Sequence, residues 1–71
     1  MKLRLLDLRE DKDLTQAEFA KELDIAQTTY SGYETGNRRI PIEILIRIAD
    51  YYDTSIDYLL GRTDDPAPPK K

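Results

Sequence analysis

The chain has no cysteine, no histidine and no tryptophan. Without thiols no disulfide framework can form. Without imidazole it lacks both the commonest metal ligand and the commonest general base. Catalysis would have to rest on Ser, Thr, Lys or carboxylates, and no nucleophile–base pair or metal-ligand spacing stands out. A metal, a cofactor and an enzymatic activity are therefore not expected. Glycine is scarce, at 3 residues, and no glycine-rich phosphate loop is present. No apolar run approaches the ~20 residues of a membrane span. The most aliphatic stretch, Ile40 to Ala49, is interrupted by Pro41, Glu43 and Arg47. The first ten residues interleave charge with leucine and hold no apolar core of the kind a secretory leader carries. The expectation is a cytoplasmic chain without a membrane anchor, and no small-molecule ligand is evident. Alternating β-branched runs are missing as well, which leaves an all-α reading.

The 71 residues allow one domain. A chain of this size buries only roughly 60% of its unfolded surface, so its stability alone is marginal. The net charge is −3, which counts against nucleic-acid binding in the aggregate. A local basic patch can still attract phosphate while acidic groups sit elsewhere. No internal repeat is visible. From Gly61 onward the sequence is rich in Pro, Asp and Lys with almost nothing apolar, so residues 62–71 are expected to be a disordered tail or linker after a domain at 1–61.

Five helices are expected before that tail. The first spans roughly residues 2–12. At 100° per residue Leu3, Leu5, Leu6 and Leu8 form a broad apolar arc, and Arg9 falls in the middle of it. A charge there demands a buried partner. The second opens with Thr15-x-x-Glu18, a capping box in which hydroxyl and carboxylate each satisfy an orphan backbone N–H. Phe19, Ala20 and Leu23 mark its inward face, and it should end near Asp24. The third runs from Gln27 to Thr35 and stops at Gly36. Tyr30, Tyr33 and Glu34 share one side of it; Thr28, Ser31, Gly32 and Thr35 share the other. A loop with Arg38 and Arg39 follows. Pro41 suits the first position of a fourth helix, which reaches about Tyr52 with Leu45, Ile48, Ala49 and Tyr52 inward. A last short helix, about 56–60, is capped by Ser55 and closed by Gly61.

Only Asp24, Ile25 and Ala26 separate the second helix from the third. So short a connection makes the pair cross steeply, the geometry of a helix-turn-helix, in which the second helix can offer its polar face to a DNA major groove. The stretch LTQAEFAKELDIAQTTYSGYETGNRRIP, with LIRIADYYDTSIDYLLG after it, resembles the Xre-type helix-turn-helix family, which includes Cro and the lambdoid phage repressors. The resemblance covers about Leu5 to Gly61. It rests on LTQ-x-E, an apolar-x-YE-x-G segment, IAD before an aromatic pair, and DYLLG.

The resemblance implies a compact five-helix, lambda-repressor-like bundle whose third helix recognises DNA. It also implies the partner that Arg9 needs: the matching basic residue of the family pairs with the acidic residue matching Glu34. Gln27, Thr28 and Gly32 match base-reading positions. Gln can bind adenine bidentately and Thr can touch a thymine methyl, whereas Gly32 has no side chain to read with. Gln16, Thr29, Asn37, Arg38 and Arg39 match phosphate-contacting positions, and the polar tip of the otherwise core Tyr33 could join them. The chain departs from the family at Asp13 and Asp24, where Gly is usual, and at Ala26, where Ser or Thr usually caps the third helix. The apolar C-terminal end (Tyr51, Tyr52, Tyr58, Leu59 and Leu60), with Ile44 and Ile46 beside the inward stripe of helix four, suggests either core closure or a homodimer surface through the C-terminal helix. Two functions stay open at this point. One is a repressor acting as a dimer on operator DNA. The other is a protein-interaction module that kept the fold and bound DNA weakly or not at all.

Overall fold

A computed structural model describes residues 3–68. Five helices form: α1 (Leu5–Asp11), α2 (Gln16–Glu22), α3 (Gln27–Thr35), α4 (Ile42–Tyr51) and α5 (Ile56–Leu59). No strand occurs among the described residues, and none of their helices is long and apolar enough to cross a membrane. Each helix is too short to be stable in isolation, so packing must hold it.

The expected helices are present, with shifted ends. α1 begins at Leu5 rather than at residue 2, which lies outside the described residues. Leu3 ahead of it is buried, and Arg4 N donates to Leu59 O at 3.0 Å, joining the start of the chain to α5. Pro41 is the N-cap of α4 rather than its first helical residue; with ψ at 147° it is extended, and its carbonyl accepts from both Ile44 and Leu45.

The helices stop by one device. Asp13, Asp24, Gly36, Asp53 and Gly61 all have left-handed backbones, with φ between 52° and 86°. At Asp13, Asp24, Asp53 and Gly61 two bonds close the helix end in the Schellman pattern. At Asp24, for example, Asp24 N donates to Lys21 O at 3.1 Å and Ile25 N to Ala20 O at 3.0 Å. The turn swings the next residue inward: Leu14 and Ile25 pack on the core and Thr54 is buried. Asp13 and Asp24 thus do the family glycine's work, and Asp53, whose composition gave no hint of this, does the same.

Phe19 lies at the centre of the core, fully buried. Its ring meets Tyr30 edge-on, with centroids 5.3 Å apart, and lies 5.1 Å from both Tyr51 and Tyr52. Leu5, Ile48 and Leu59 fill the remaining interior. Burial pushes the Tyr30 and Tyr52 phenols above their ordinary pKa, so both stay protonated. Beyond Gly61 the described residues form no helix or strand, but they are tethered. Buried Thr54 donates its hydroxyl to Pro66 O at 2.7 Å, and Arg4 Nη2 reaches Asp64 Oδ1 at 2.7 Å while its guanidinium lies 4.5 Å from the centre of the Tyr58 ring. The rest of the expected tail, residues 69–71, lies outside the described residues.

An L-residue in the left-handed region is strained, Asp less than most, and Gly is not. Asp53→Gly keeps the turn and touches no core contact. It is expected to raise unfolding stability by ~0.5–1 kcal/mol, read from the urea midpoint; a loss would mean that the Asp53 side chain contributes to the turn.

Candidate nucleic-acid interface

The site is assembled around α2 and α3. At the start of α2 the capping box is complete: Glu18 N donates to Thr15 Oγ1 at 3.1 Å, and Thr15 N donates to Glu18 Oε1 at 2.8 Å. The box sets Gln16 in the first turn, where its amide Nε2 donates to Glu34 Oε1 at 3.1 Å. Glu34, on α3, is buried. Arg9 of α1 grips it with both arms of the guanidinium, Nε to Oε2 and Nη2 to Oε1, each at 2.9 Å. The remaining arm, Nη1, donates to Leu14 O at 2.7 Å. One carboxylate therefore joins α1, the turn after it, α2 and α3. Burial alone would raise the Glu34 pKa, but hydrogen bonds from Arg9, with Tyr30 and Gln16 nearby, outweigh it and hold the carboxyl below the usual range. The same bond raises the Arg9 pKa.

With Glu34, Tyr30 and Tyr33 turned inward, the opposite face of α3 meets solvent. Gln27 and Thr28 are exposed on its first turn, and Thr29 and Gly32 are half-buried. Ala26 gives no side-chain cap, so the first amides of α3 are left without one. Asn37, Arg38 and Arg39 are exposed on the loop after α3, and among the described residues neither arginine enters an ion pair. Tyr33 is buried to 6% exposure, so its ring belongs to the core.

Two contacts here carry no signal in a helical wheel. One is the Gln16 amide bond to Glu34. The other is the passage of Arg38 over Gly32. A Cβ built on Gly32 would lie 2.8 Å from Arg38 Cγ and 2.9 Å from its Cδ. Arg38 N also donates to Gly32 O at 3.1 Å. A glycine inside a helix was the available sign that another group approaches closely.

Residues 5–59 match the family described as helix-turn-helix. The chain belongs to this family. It is the Xre-type family that the sequence motifs resemble. Among its relatives, the uncharacterised HTH-type transcriptional regulator YobD of Bacillus subtilis is 43% identical over 65 residues, covering 92% of the chain and 58% of the relative. The HTH-type transcriptional regulator AnsR of the same organism is 48% identical, covering 83% of the chain and 51% of the relative. The cryptic phage CTXphi transcriptional repressor RstR of Vibrio cholerae is 42% identical, covering 87% and 55%. The helix-turn-helix chain thus spans about half the length of the relatives it matches.

A carboxyl held below its unfolded pKa stabilises the fold fully above that pKa and loses the contribution as pH falls through the folded value. Glu34→Gln leaves Arg9 buried without its charge partner and is expected to cost ~3 kcal/mol or more at pH 7. The wild-type advantage should shrink as pH drops below ~4.3, the ordinary glutamate value. Paired denaturation curves from pH 7 to pH 3 measure this. An advantage independent of pH would mean that Glu34 acts by shape and not by charge.

Proposed function

We propose that this helix-turn-helix chain binds double-stranded DNA sequence-specifically through α3 and acts in transcription regulation as a repressor. The observation that carries the reading is the exposed first turn of α3. Gln27 and Thr28 stand there on a helix whose inner face is fixed by Glu34, Arg9 and Gln16. Gln27 suits adenine and Thr28 a thymine methyl. Around them lie groups that suit phosphate and carry no sequence information: the side chain of Gln16, whose amide is held by Glu34, the α3 amides that Ala26 leaves uncapped, Thr29, and the exposed Asn37, Arg38 and Arg39. The first turn of α3 holds no acidic residue, and the acidic excess is carried on other parts of the surface, with Asp24 at the near edge. Relatives named as transcriptional regulators, and one named as a phage repressor, support the same reading.

The DNA-bound form in this proposal is a homodimer on two half-sites roughly 34–36 Å apart, or a multiple of that. Leu59 is buried and Ile56, Tyr58 and Leu60 are half-buried, so α5 has little apolar surface left for a partner. Ile42 and Ile46, one turn apart on α4 and 55% and 44% exposed, and Tyr51 at 43%, retain more. The same residues support a second reading, an interaction module that binds another protein. Acting on cellular DNA, the chain would work in the cytoplasm.

Selection of duplexes from a randomised pool at physiological salt tests the proposal. A two-fold-symmetric motif is expected. Affinity for it should fall steeply with added salt, because each phosphate neutralised contributes a slope of about −0.9 in log–log form. Gln27→Ala should relax the motif at one or two base pairs, with ~1–3 kcal/mol of discrimination lost there. Recovery of no motif, or an affinity flat in salt, would favour the interaction module. An unchanged motif in Gln27→Ala would remove Gln27 from the base-reading set.

A further inference from the structure

Gly32 sits inside α3, where glycine costs ~1 kcal/mol relative to alanine. Its backbone is ordinary helix, so no special conformation requires it. What it supplies is room, and Arg38 occupies that room. The Cγ and Cδ of Arg38 lie 2.8 and 2.9 Å from where a Cβ of residue 32 would be, and its own Cβ lies at 3.2 Å. The loop is also bonded there, Arg38 N to Gly32 O at 3.1 Å. We propose that Arg38, carried on Gly32, is a base-reading residue: its guanidinium leaves α3 where a residue-32 side chain would, and donates to O6 and N7 of a guanine. This rests on the DNA-binding reading above and replaces the phosphate role given there, and expected from the sequence, for Arg38.

Three features carry the assignment. Gly32 follows Thr28 by four residues, so both lie on one face of the helix. The Cδ of Arg38 lies 2.9 Å from where a Cβ on Gly32 would be, so the guanidinium starts from that face. Among the described residues no carboxylate claims that head. The stem, lying beside Gly32 and anchored at its own N–H, has less freedom left to lose on binding than a free loop arginine. The guanidinium fork matches guanine bidentately, which an ammonium cannot. Arg39 keeps a phosphate role.

The test takes the duplex that the full 71-residue chain selects. Binding is measured by anisotropy to that duplex and to each single base-pair change, across salt, for wild type, Arg38→Ala, Arg38→Lys and Gly32→Ala. Arg38→Ala is expected to lose roughly 10- to 100-fold of discrimination at one G·C pair, with much less loss on a scrambled duplex. Arg38→Lys should not restore that discrimination. Gly32→Ala removes no charge and strengthens helix propensity, so it should keep the salt slope while altering preference at the same pair. The proposal is overturned if Arg38→Ala weakens all duplexes alike and the salt slope drops by about one, the mark of a phosphate contact. It is equally overturned if Gly32→Ala leaves the preference intact. If wild type selects no duplex at all, the DNA-binding reading falls and takes this one with it, an outcome distinct from selection without a role for Arg38.

Discussion

The fold depends on a buried ion pair more than on any single apolar contact. The Arg9 side chain is 13% exposed and that of Glu34 6%. Removing both charges from water is costly, and a pair of well-packed apolar side chains would be about as stable. The pair supplies direction instead. A guanidinium gripping a carboxylate with two parallel N–H bonds tolerates little rotation. Because the same carboxylate takes the Gln16 amide and the same guanidinium takes Leu14 O, the pair fixes how α3 sits against α1 and α2. A core of leucines and aromatics alone could repack around a tilted α3 at small cost. This cluster cannot, since any tilt would leave a buried charge or donor unmatched. The exposed face of α3 inherits that rigidity.

A second constraint acts at the helix ends. Short helices need sharp stops, and all five here end at a left-handed residue, three of them aspartates. Glycine would adopt those angles without strain. Aspartate accepts some strain in return for a charged, solvated turn that has fewer conformations open to it when unfolded. The positions differ in what that charge does. Asp53 lies between α4 and α5, whereas Asp24 lies in the turn of the helix pair, where, on the proposed DNA-binding reading, its negative charge would oppose the approach of a phosphate backbone.

Much of the architecture was legible because the signals were local. The T-x-x-E box, Gly36 after a run of aromatics, and the short connection at Asp24, Ile25 and Ala26 each act within a few residues, and the helices stand close to where those residues put them. Arg9 amid leucines announced that a partner was needed; the family resemblance pointed to Glu34, which periodicity also puts on an inward face. What escaped were contacts made by long, flexible side chains across elements. The Gln16 amide has many rotamers, and nothing in the spacing selects the one that reaches Glu34. The seating of Thr54 against Pro66, and of Arg4 on Tyr58 and Asp64, depends on the path of a segment with no periodicity to read. The bare composition of residues 61–71 pointed only to a tail.

Gly32 is the sharpest case of the difference between reading a residue and reading its surroundings. Taken alone it is an absence: the resemblance puts it at a base-reading position, and it has no side chain to read with. In the fold the absence is what brings the loop against the helix, because a Cβ there would meet the Arg38 stem at less than van der Waals distance. A helix presents a side chain only as long as the one its own position encodes, with the freedom that residue retains. Under the proposal above, Arg38 laid beside Gly32 would offer a longer reach from the same spot, with its main chain held by the Gly32 carbonyl. The helix-propensity cost of the glycine and the ordering of the loop are both met in the free protein, before any partner arrives, and that is the condition under which a contact contributes most to specificity.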